Sequence, residues 1–158
     1  MKARQAILVA LAAAVTLTSV AAARPDAAKQ RVMITSQAAG TTRAAPFVLT
    51  PLQAGPLKRD SGTEIAPLAP GREVMRAGQS VTIYDLVATQ KGKRGSLVIR
   101  YRNEYVDAGN GYHVGTGTWK VVRGTGQYAG ITGGGRSGAV YLDTGPWSSR
   151  AEGVLTLP

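Results

Sequence analysis

The chain has 158 residues, 44% of them hydrophobic, and a formal net charge of +10 at neutral pH. A chain of this length can bury one hydrophobic core, so we expect a single folded domain. It contains no cysteine, which excludes disulfides, thiolate metal sites, cysteine nucleophiles and a lipid-modified N-terminal cysteine.

The first 23 residues have the pattern of a secretory signal peptide. Lys2 and Arg4 precede an uncharged run from Ala6 to Val20, and alanines 21–23 are the small residues that a signal peptidase accepts. A hydrophobic run of about 15 residues is shorter than the roughly 20 that span a bilayer. We therefore expect residues 1–23 to be cleaved. The mature protein would be secreted, extracellular or held in the periplasm or cell wall, with no transmembrane anchor.

Residues 24–46 are rich in Ala, Gln, Thr and Ser with scattered charges, and they show no sustained hydrophobic periodicity. This composition predicts a flexible basic leader, although Val32, Met33 and Ile34 could add a short strand. Removal of Lys2 and Arg4 with the signal lowers the formal charge from +10 to +8. A large share of the remaining positive charge then lies on the leader.

From Phe47 onward, turn signals recur at the short spacing of all-β proteins. We expect residues 47–158 to form a single antiparallel, calycin-like β-barrel of about eight strands and no helix. A β-sandwich stays open as the alternative, since the sequence does not show whether the first and last strands meet. The predicted strands are 47–50, 57–65, 73–76, 81–90, 95–106, 112–123, 138–144 and 149–157.

The register of the three central strands follows from their turns and their alternation. A three-residue loop at 109–111, with Gly111 left-handed, pairs Ile99 with Val121 and Tyr101 with Trp119. A four-residue loop at 91–94 then sets Leu86 opposite Ile99 and Tyr84 opposite Tyr101. This register predicts that Tyr84, Tyr101 and Trp119 form an inward-facing aromatic row, and these three residues are the candidate ligand contacts in the lumen.

The same register predicts a charged outer face. Arg100 lies opposite Lys120, and Asp85 and Ile83 lie beside Arg100 and Arg102. A solvated face accounts for such a pattern, and surface ion pairs of this kind contribute under about 1 kcal/mol each. The functional alternative is that Arg100, Arg102 and Lys120 contact an anion, such as an anionic cell-surface polymer.

Charge alone predicts that such binding weakens with salt, and that the leader contributes more to it than Arg100 and Arg102. No specific nucleic acid is expected as a partner, because the chain carries no recognisable binding motif.

Patterns for nucleotide, metal and hydrolytic chemistry are absent. The glycines at 124–130 follow a strand but open no helix that could face a pyrophosphate. His113 is the only histidine, and its place next to a hairpin turn predicts an exposed or edge-satisfied side chain. Glu104 and Asp107 are an odd number of residues apart, so a regular strand should point their side chains to opposite faces of the sheet. We expect no metal and no cofactor.

The run GTGTWKVVRGTGQYAGITGGGRSG, residues 115–138, resembles the strand, G-x-G-x-[YF]-x-G turn and glycine-rich return of bacterial secreted proteins of the allene oxide cyclase barrel and dirigent-like class. The resemblance covers about Gly95 to Gly138 and implies an eight-stranded barrel. Gly124, Gly126 and Gly130 are the candidate turn residues that need positive φ or close backbone approach. No catalytic residue is carried over, because the acid and arginine positions of the plant enzymes have no recognisable match here.

Two classes of function remain open. The first is a non-catalytic secreted barrel that binds a small apolar or aromatic ligand, or an anionic surface polymer. The second is a cofactor-independent, cyclase-like or dirigent-like barrel whose lumen steers a reactive intermediate. A buried charged residue in the lumen would favour the second class, and a solidly packed interior would favour the first. The sequence is also compatible with an oligomer.

Overall fold

Nine strands make up most of the described chain. The structure, a computed structural model, describes residues 28–40, 42–67 and 70–158. The predicted signal peptide and residues 24–27 of the predicted leader lie outside this part. The strands are β1 (Lys29–Ala38), β2 (Ala44–Pro51), β3 (Asp60–Ile65), β4 (Arg72–Arg76), β5 (Gln79–Gly92), β6 (Ser96–Gly109), β7 (Tyr112–Gly124), β8 (Thr132–Leu142) and β9 (Trp147–Thr156).

The strands form one antiparallel sheet that closes on itself. Their order is β3-β2-β1-β9-β8-β7-β6-β5-β4, and an additional pairing of β3 with β5 completes a ring of eight strands. The short strand β4 pairs with the first part of β5 only and stays outside the ring. The predicted all-β, barrel-like fold of about eight strands is therefore confirmed, and the sandwich alternative is excluded.

The prediction of a flexible leader is wrong for Lys29–Ala38 and for the start of β2, which are strands. β1 lies in the ring, paired with β2 on one side and with β9 on the other, and β2 begins at Ala44. The inward positions of β1 are Gln30, Val32, Ile34 and Ser36, all of them buried. Polar residues at both ends of this inward row concealed the alternation in the sequence.

The predicted pairing of β6 with β7 is confirmed. Ile99 lies opposite Val121, Tyr101 opposite Trp119 and Arg100 opposite Lys120. The connection itself differs in detail, because Gly109 pairs with Tyr112 after a register shift. The loop is therefore the two-residue turn Asn110–Gly111, with both residues at positive φ, which is the conformation of a type I′ hairpin turn.

The predicted pairing of β5 with β6 is wrong by two residues. Tyr84 lies opposite Asn103 and Leu86 opposite Tyr101, so Tyr84 does not continue the row of Tyr101 and Trp119. On the outer face, Asp85 consequently lies opposite Arg102, not Arg100. The turn is centred one residue later than expected, because the last pair of the ladder is Lys91 with Ser96 and the amide of Gly92 donates to the carbonyl oxygen of Gly95 at 2.9 Å. The reason lies far away in sequence. The Asp60 carboxylate accepts hydrogen bonds from the backbone amides of Lys93 and Arg94, at 3.0 and 3.2 Å, and holds the turn tight.

The glycine-rich stretch after β7 closes one end of the ring. A 3₁₀ turn, Gly126–Tyr128, directs Tyr128 inward, where it is buried with Leu57, Leu97 and Ile131. β8 then begins at Thr132, six residues earlier than expected, so glycines 133–135 belong to a strand. The described residues contain no helix that is long and apolar enough to cross a bilayer.

Positive φ is found at Gly126 and Gly130, as the sequence predicts. Gly124 is needed for a different reason, since a Cβ there would lie 2.0 Å from the carbonyl oxygen of Tyr128. The glycine motif therefore builds the closed end of the ring.

Candidate functional site

The other end of the ring opens into a cavity of about 420 Å³ in the lumen. Its mouth lies between the β1–β2, β3–β4 and β8–β9 connections, which contribute Arg43, Pro67 and Asp143 to the lining. Its walls come from inward positions of β5, β6, β8 and β9 and from the end of β3. The wall residues are Glu64, Tyr84, Leu86, Tyr101, Asn103, Tyr105, Ser137, Ala139, Tyr141, Trp147 and Ser149.

The lumen has free volume at the depth of these wall residues because several inward residues of β7 and β8 are small. Gly115 lies under the ring of Tyr105, and a Cβ on Gly115 would come within 2.5 Å of that ring. Gly117 likewise leaves room for the side chain of Asn103. The hydroxyl of Ser137 can then donate to Oδ1 of Asn103 across the intervening strand, at 2.6 Å. Below this level Trp119 fills the lumen.

A carboxylate lies in the wall of the cavity. Glu64 is 5% exposed, and its Oε2 accepts hydrogen bonds from Oγ of Ser36 at 2.9 Å and from Nε2 of Gln90 at 2.7 Å. The same Gln90 nitrogen is 3.4 Å from the hydroxyl of Tyr101. Within the described part of the chain, Glu64 forms no ion pair and no hydrogen bond through Oε1. The site therefore offers a carboxylate held by neutral groups alone.

Tyrosine rings form most of the aromatic surface of the lumen. Tyr84 and Tyr105 meet edge to face with 5.4 Å between ring centroids, and Tyr105 is 5.2 Å from Tyr141. Burial raises the pKa of Tyr101, and the nearby charge of Glu64 raises it further. Burial also raises the pKa of Tyr105 and Tyr141. These phenols therefore stay neutral at physiological pH.

At the mouth, His113 stacks on Tyr141 with 4.4 Å between ring centroids. Its Nε2 lies 2.8 Å from Oδ1 of Asp143 in the β8–β9 connection. The side chain of His113 is thus satisfied, but it is only partly exposed, and β7 is paired on both sides at this position, so the expected sheet edge is absent here. Glu104 and Asp107 form no paired site, because Glu104 binds Arg76 and Asp107 accepts from the amide of Gly109.

Two of the three predicted lumen residues line the cavity. Tyr84 and Tyr101 belong to its wall, whereas Trp119 lies in the core below it and is 3% exposed. The indole nitrogen of Trp119 reaches across β8 and donates to the carbonyl oxygen of Glu152 at 3.1 Å. Glu64, Tyr105 and Tyr141 also line the cavity and were not predicted from the sequence. Tyr105 lies four residues after Tyr101 on the same strand, so both side chains point to the same face. This alternation could have identified Tyr105 as a lumen residue.

The predicted anion contacts lie together on the outer face. Arg100, Arg102 and Lys120 are all exposed, and Nε of Arg100 is 3.8 Å from Oδ1 of Asp85. Arg136 lies on the same row as Arg102, two strands away, with Thr118 between them. This outer basic face is separated from the lumen by the sheet itself.

Two further depressions lie outside the lumen. One is on the outer surface of β7, β8 and β9 and is lined by residues such as Val114, Arg136 and Val140. The other lies beside the β1–β2 connection and is lined by residues such as Pro46, Tyr112 and Trp147. Both are more open than the lumen, and neither contains a buried charged residue from the described ranges. Among the described residues, no cluster of histidine, aspartate or glutamate side chains is suited to hold a metal ion. The lumen is therefore the strongest candidate site.

Comparisons with family models, with curated proteins and with solved structures found no match. The assignment of a function consequently depends on the lumen and its residues.

Proposed function

We propose that this chain is a secreted, barrel-like protein that binds a small, largely apolar molecule in its lumen. The cavity of about 420 Å³ carries the proposal, because it lies within the range of about 300–1,000 Å³ that is usual for small-molecule sites. Its composition also fits, since aromatic and aliphatic walls surround a few polar groups that could orient a ligand.

Binding can be tested with the neutral dye N-phenyl-1-naphthylamine, whose fluorescence rises in apolar surroundings. The expected result is saturable enhancement with the full chain. Ala139→Phe should abolish it, because Ala139 lines the lumen and a phenyl ring there would occupy the space of the ligand.

Val140→Phe is the matched control, since the neighbouring residue on β8 points to the outer face and receives the same new side chain. It should bind the dye as the wild type does, and circular dichroism should show that both variants are folded. Equal binding by the two variants would place the dye outside the lumen, and absence of binding to the wild type would reject the proposal.

The second candidate is an allene oxide cyclase-like or dirigent-like barrel that steers a reactive intermediate without a cofactor. The buried carboxylate of Glu64 favours it, because a charged group in a low-dielectric cavity can stabilise charge that develops during a reaction. Ligands that bind in the lumen should then be converted by the wild type but not by Glu64→Gln. Recovery of every ligand unchanged, by chromatography and mass spectrometry, would favour the binding protein.

A further inference from the structure

The lumen contains a carboxylate that has no cationic partner among the described residues. In the part of the chain that the structure describes, four charged residues line the cavity, and three of them, Arg43, Asp143 and Arg150, belong to its rim. Arg150 and Asp143 have partners there in Glu152 and His113. Glu64 alone is buried, and only neutral donors contact it. A buried carboxylate without a counter-charge is costly, so a cation that entered the lumen would remove that cost.

The walls around this carboxylate also suit a cation. Tyr84, Tyr101, Tyr105 and Tyr141 all line the cavity. The faces of aromatic rings carry negative electrostatic potential, and several rings around one space form the usual receptor for ammonium groups. The orientations of three of these rings are fixed by their contacts with one another, because the ring of Tyr105 packs against those of Tyr84 and Tyr141.

We infer that the ligand of the lumen is a small organic cation, with an amine or ammonium group directed at Oε1 of Glu64 and an apolar body along the tyrosine walls. This inference rests on the proposed function and specifies the ligand class for the same site. Oε1 is the oxygen that the protein leaves without a donor among the described residues, whereas Oε2 already has two.

An anionic amphiphile fits the site less well. Its acid group could approach Arg43 at the mouth, but its apolar tail would then lie against Glu64, Asn103 and Ser137. Such a ligand would leave the carboxylate of Glu64 buried with no counter-charge. A neutral ligand could donate a hydrogen bond to Oε1 but would supply no charge. The expected order of affinity is therefore cation, neutral molecule, anion.

The expected order of affinity can be measured with three probes of similar shape, namely 4-phenylbutylamine, 4-phenylbutanol and 4-phenylbutanoate. Isothermal titration calorimetry with the full chain at pH 7 should give at least about tenfold tighter binding for the amine than for the alcohol, as expected for a charge-assisted hydrogen bond. The acid should bind most weakly. Since these three measurements use the wild type, they do not depend on the folding of any variant.

Glu64→Gln then tests the assigned group. The amide keeps the shape of the side chain and removes its charge, so the preference for amine over alcohol should fall to about one. Binding of the alcohol should change little. Ser149→Ala, which alters another polar residue of the cavity wall without changing charge, should retain the preference for the amine.

The two proposals fail in different ways. If none of the three probes binds to the wild type, both the proposed function and the ligand class are rejected. If the alcohol binds and the amine binds no more tightly, the lumen is a binding site but the cationic ligand class is rejected. Retention of the amine preference by Glu64→Gln would also reject the role assigned to the carboxylate.

Discussion

Asp60 ties together three parts of the chain that are distant in sequence. Its Oδ1 accepts from the amides of Ser61 and Lys93, and its Oδ2 accepts from the amide of Arg94 and the hydroxyl of Tyr128. Burial on its own would raise the pKa of Asp60, but these hydrogen bonds outweigh it, and the pKa lies below the ordinary value. One carboxylate thus connects β3, the β5–β6 turn and the closed end of the ring.

This pKa shift predicts how stability depends on pH. Because the pKa is lower in the folded state than the value of about 3.9 in unfolded chains, the unfolded state takes up the proton first. The contribution of Asp60 is complete above that value and is lost as pH falls toward the folded-state pKa. The free energy of unfolding should therefore decrease as pH falls below about 5.

Urea unfolding of wild type and variants across acidic pH measures this contribution. Asp60→Asn should be less stable at neutral pH and should show a smaller decrease on acidification. Tyr128→Phe, which removes one of the four donors, should lie between the two. An identical pH dependence for wild type and Asp60→Asn would contradict the assignment.

The alternation of side chains along a strand predicted the inward orientation of some residues but not of others. Trp119 was identified as inward-facing because its strand alternates clearly, and it is buried. Glu64 was missed because a glutamate in a predicted strand is normally exposed. Its partners Ser36 and Gln90 lie 28 and 26 residues away, and nothing local in the sequence indicates that they converge.

On the scale of elements, the turn between β7 and β8 depends on glycine at particular positions. Gly126 has a φ of 60°, and a Cβ there would lie 2.5 Å from the carbonyl oxygen of Arg94. Left-handed backbone costs an alanine roughly 1–2 kcal/mol, and the close contact adds to this. Gly126→Ala should therefore lower the free energy of unfolding by more than about 1 kcal/mol, as measured in urea.

Gly138→Ala is the matched control within the same glycine-rich stretch. A Cβ at Gly138 would meet only the carbonyl oxygen of Gly115, at 3.8 Å, which is an ordinary contact. This variant should stay within about 0.5 kcal/mol of the wild type or be slightly more stable. A similar loss of stability in both variants would show that the turn has no special requirement for Gly126.

Strand β1 shows where prediction of elements from sequence failed. Its inward row begins with Gln30, whose side chain accepts from the amide of Leu57 and donates to two backbone carbonyls. Ser36, at the other end of that row, binds Glu64. Buried polar side chains of this kind look like solvent-exposed residues until their distant partners are known. The eight strands predicted from Phe47 onward were found because turn signals separate them at short spacing, although β3 also buries the charged residues Asp60 and Glu64.

On the scale of the whole molecule, the excess of positive charge should produce salt-dependent binding to anionic surfaces. Arg100, Arg102 and Lys120 form the outer basic face together with Arg136. Long-range attraction to such a surface weakens when salt shortens the Debye length. Sedimentation with anionic liposomes should therefore show binding that falls steeply between low and high ionic strength.

Charge reversal can show whether the outer basic face has a special role. Arg100→Glu with Arg102→Glu should weaken binding more than Lys58→Glu with Arg59→Glu, which changes the net charge equally at other exposed positions. Equal losses would mean that net charge alone attracts the surface. Deletion of residues 24–46 would not test the expected contribution of the leader, because it would remove β1 and part of β2 and thus disrupt the ring.

The closure of the ring also has a consequence for the time course of folding. Lys29 pairs with Thr156 and Ala38 with Trp147, so one neighbour of β1 is the strand farthest from it in sequence. A ribosome releases β1 long before β9 exists, and the edge of β1 that faces β9 has no partner during synthesis. Folds dominated by such distant pairings form in milliseconds to seconds. A chaperone therefore has an interval in which it can bind the unfolded chain before the two strands meet.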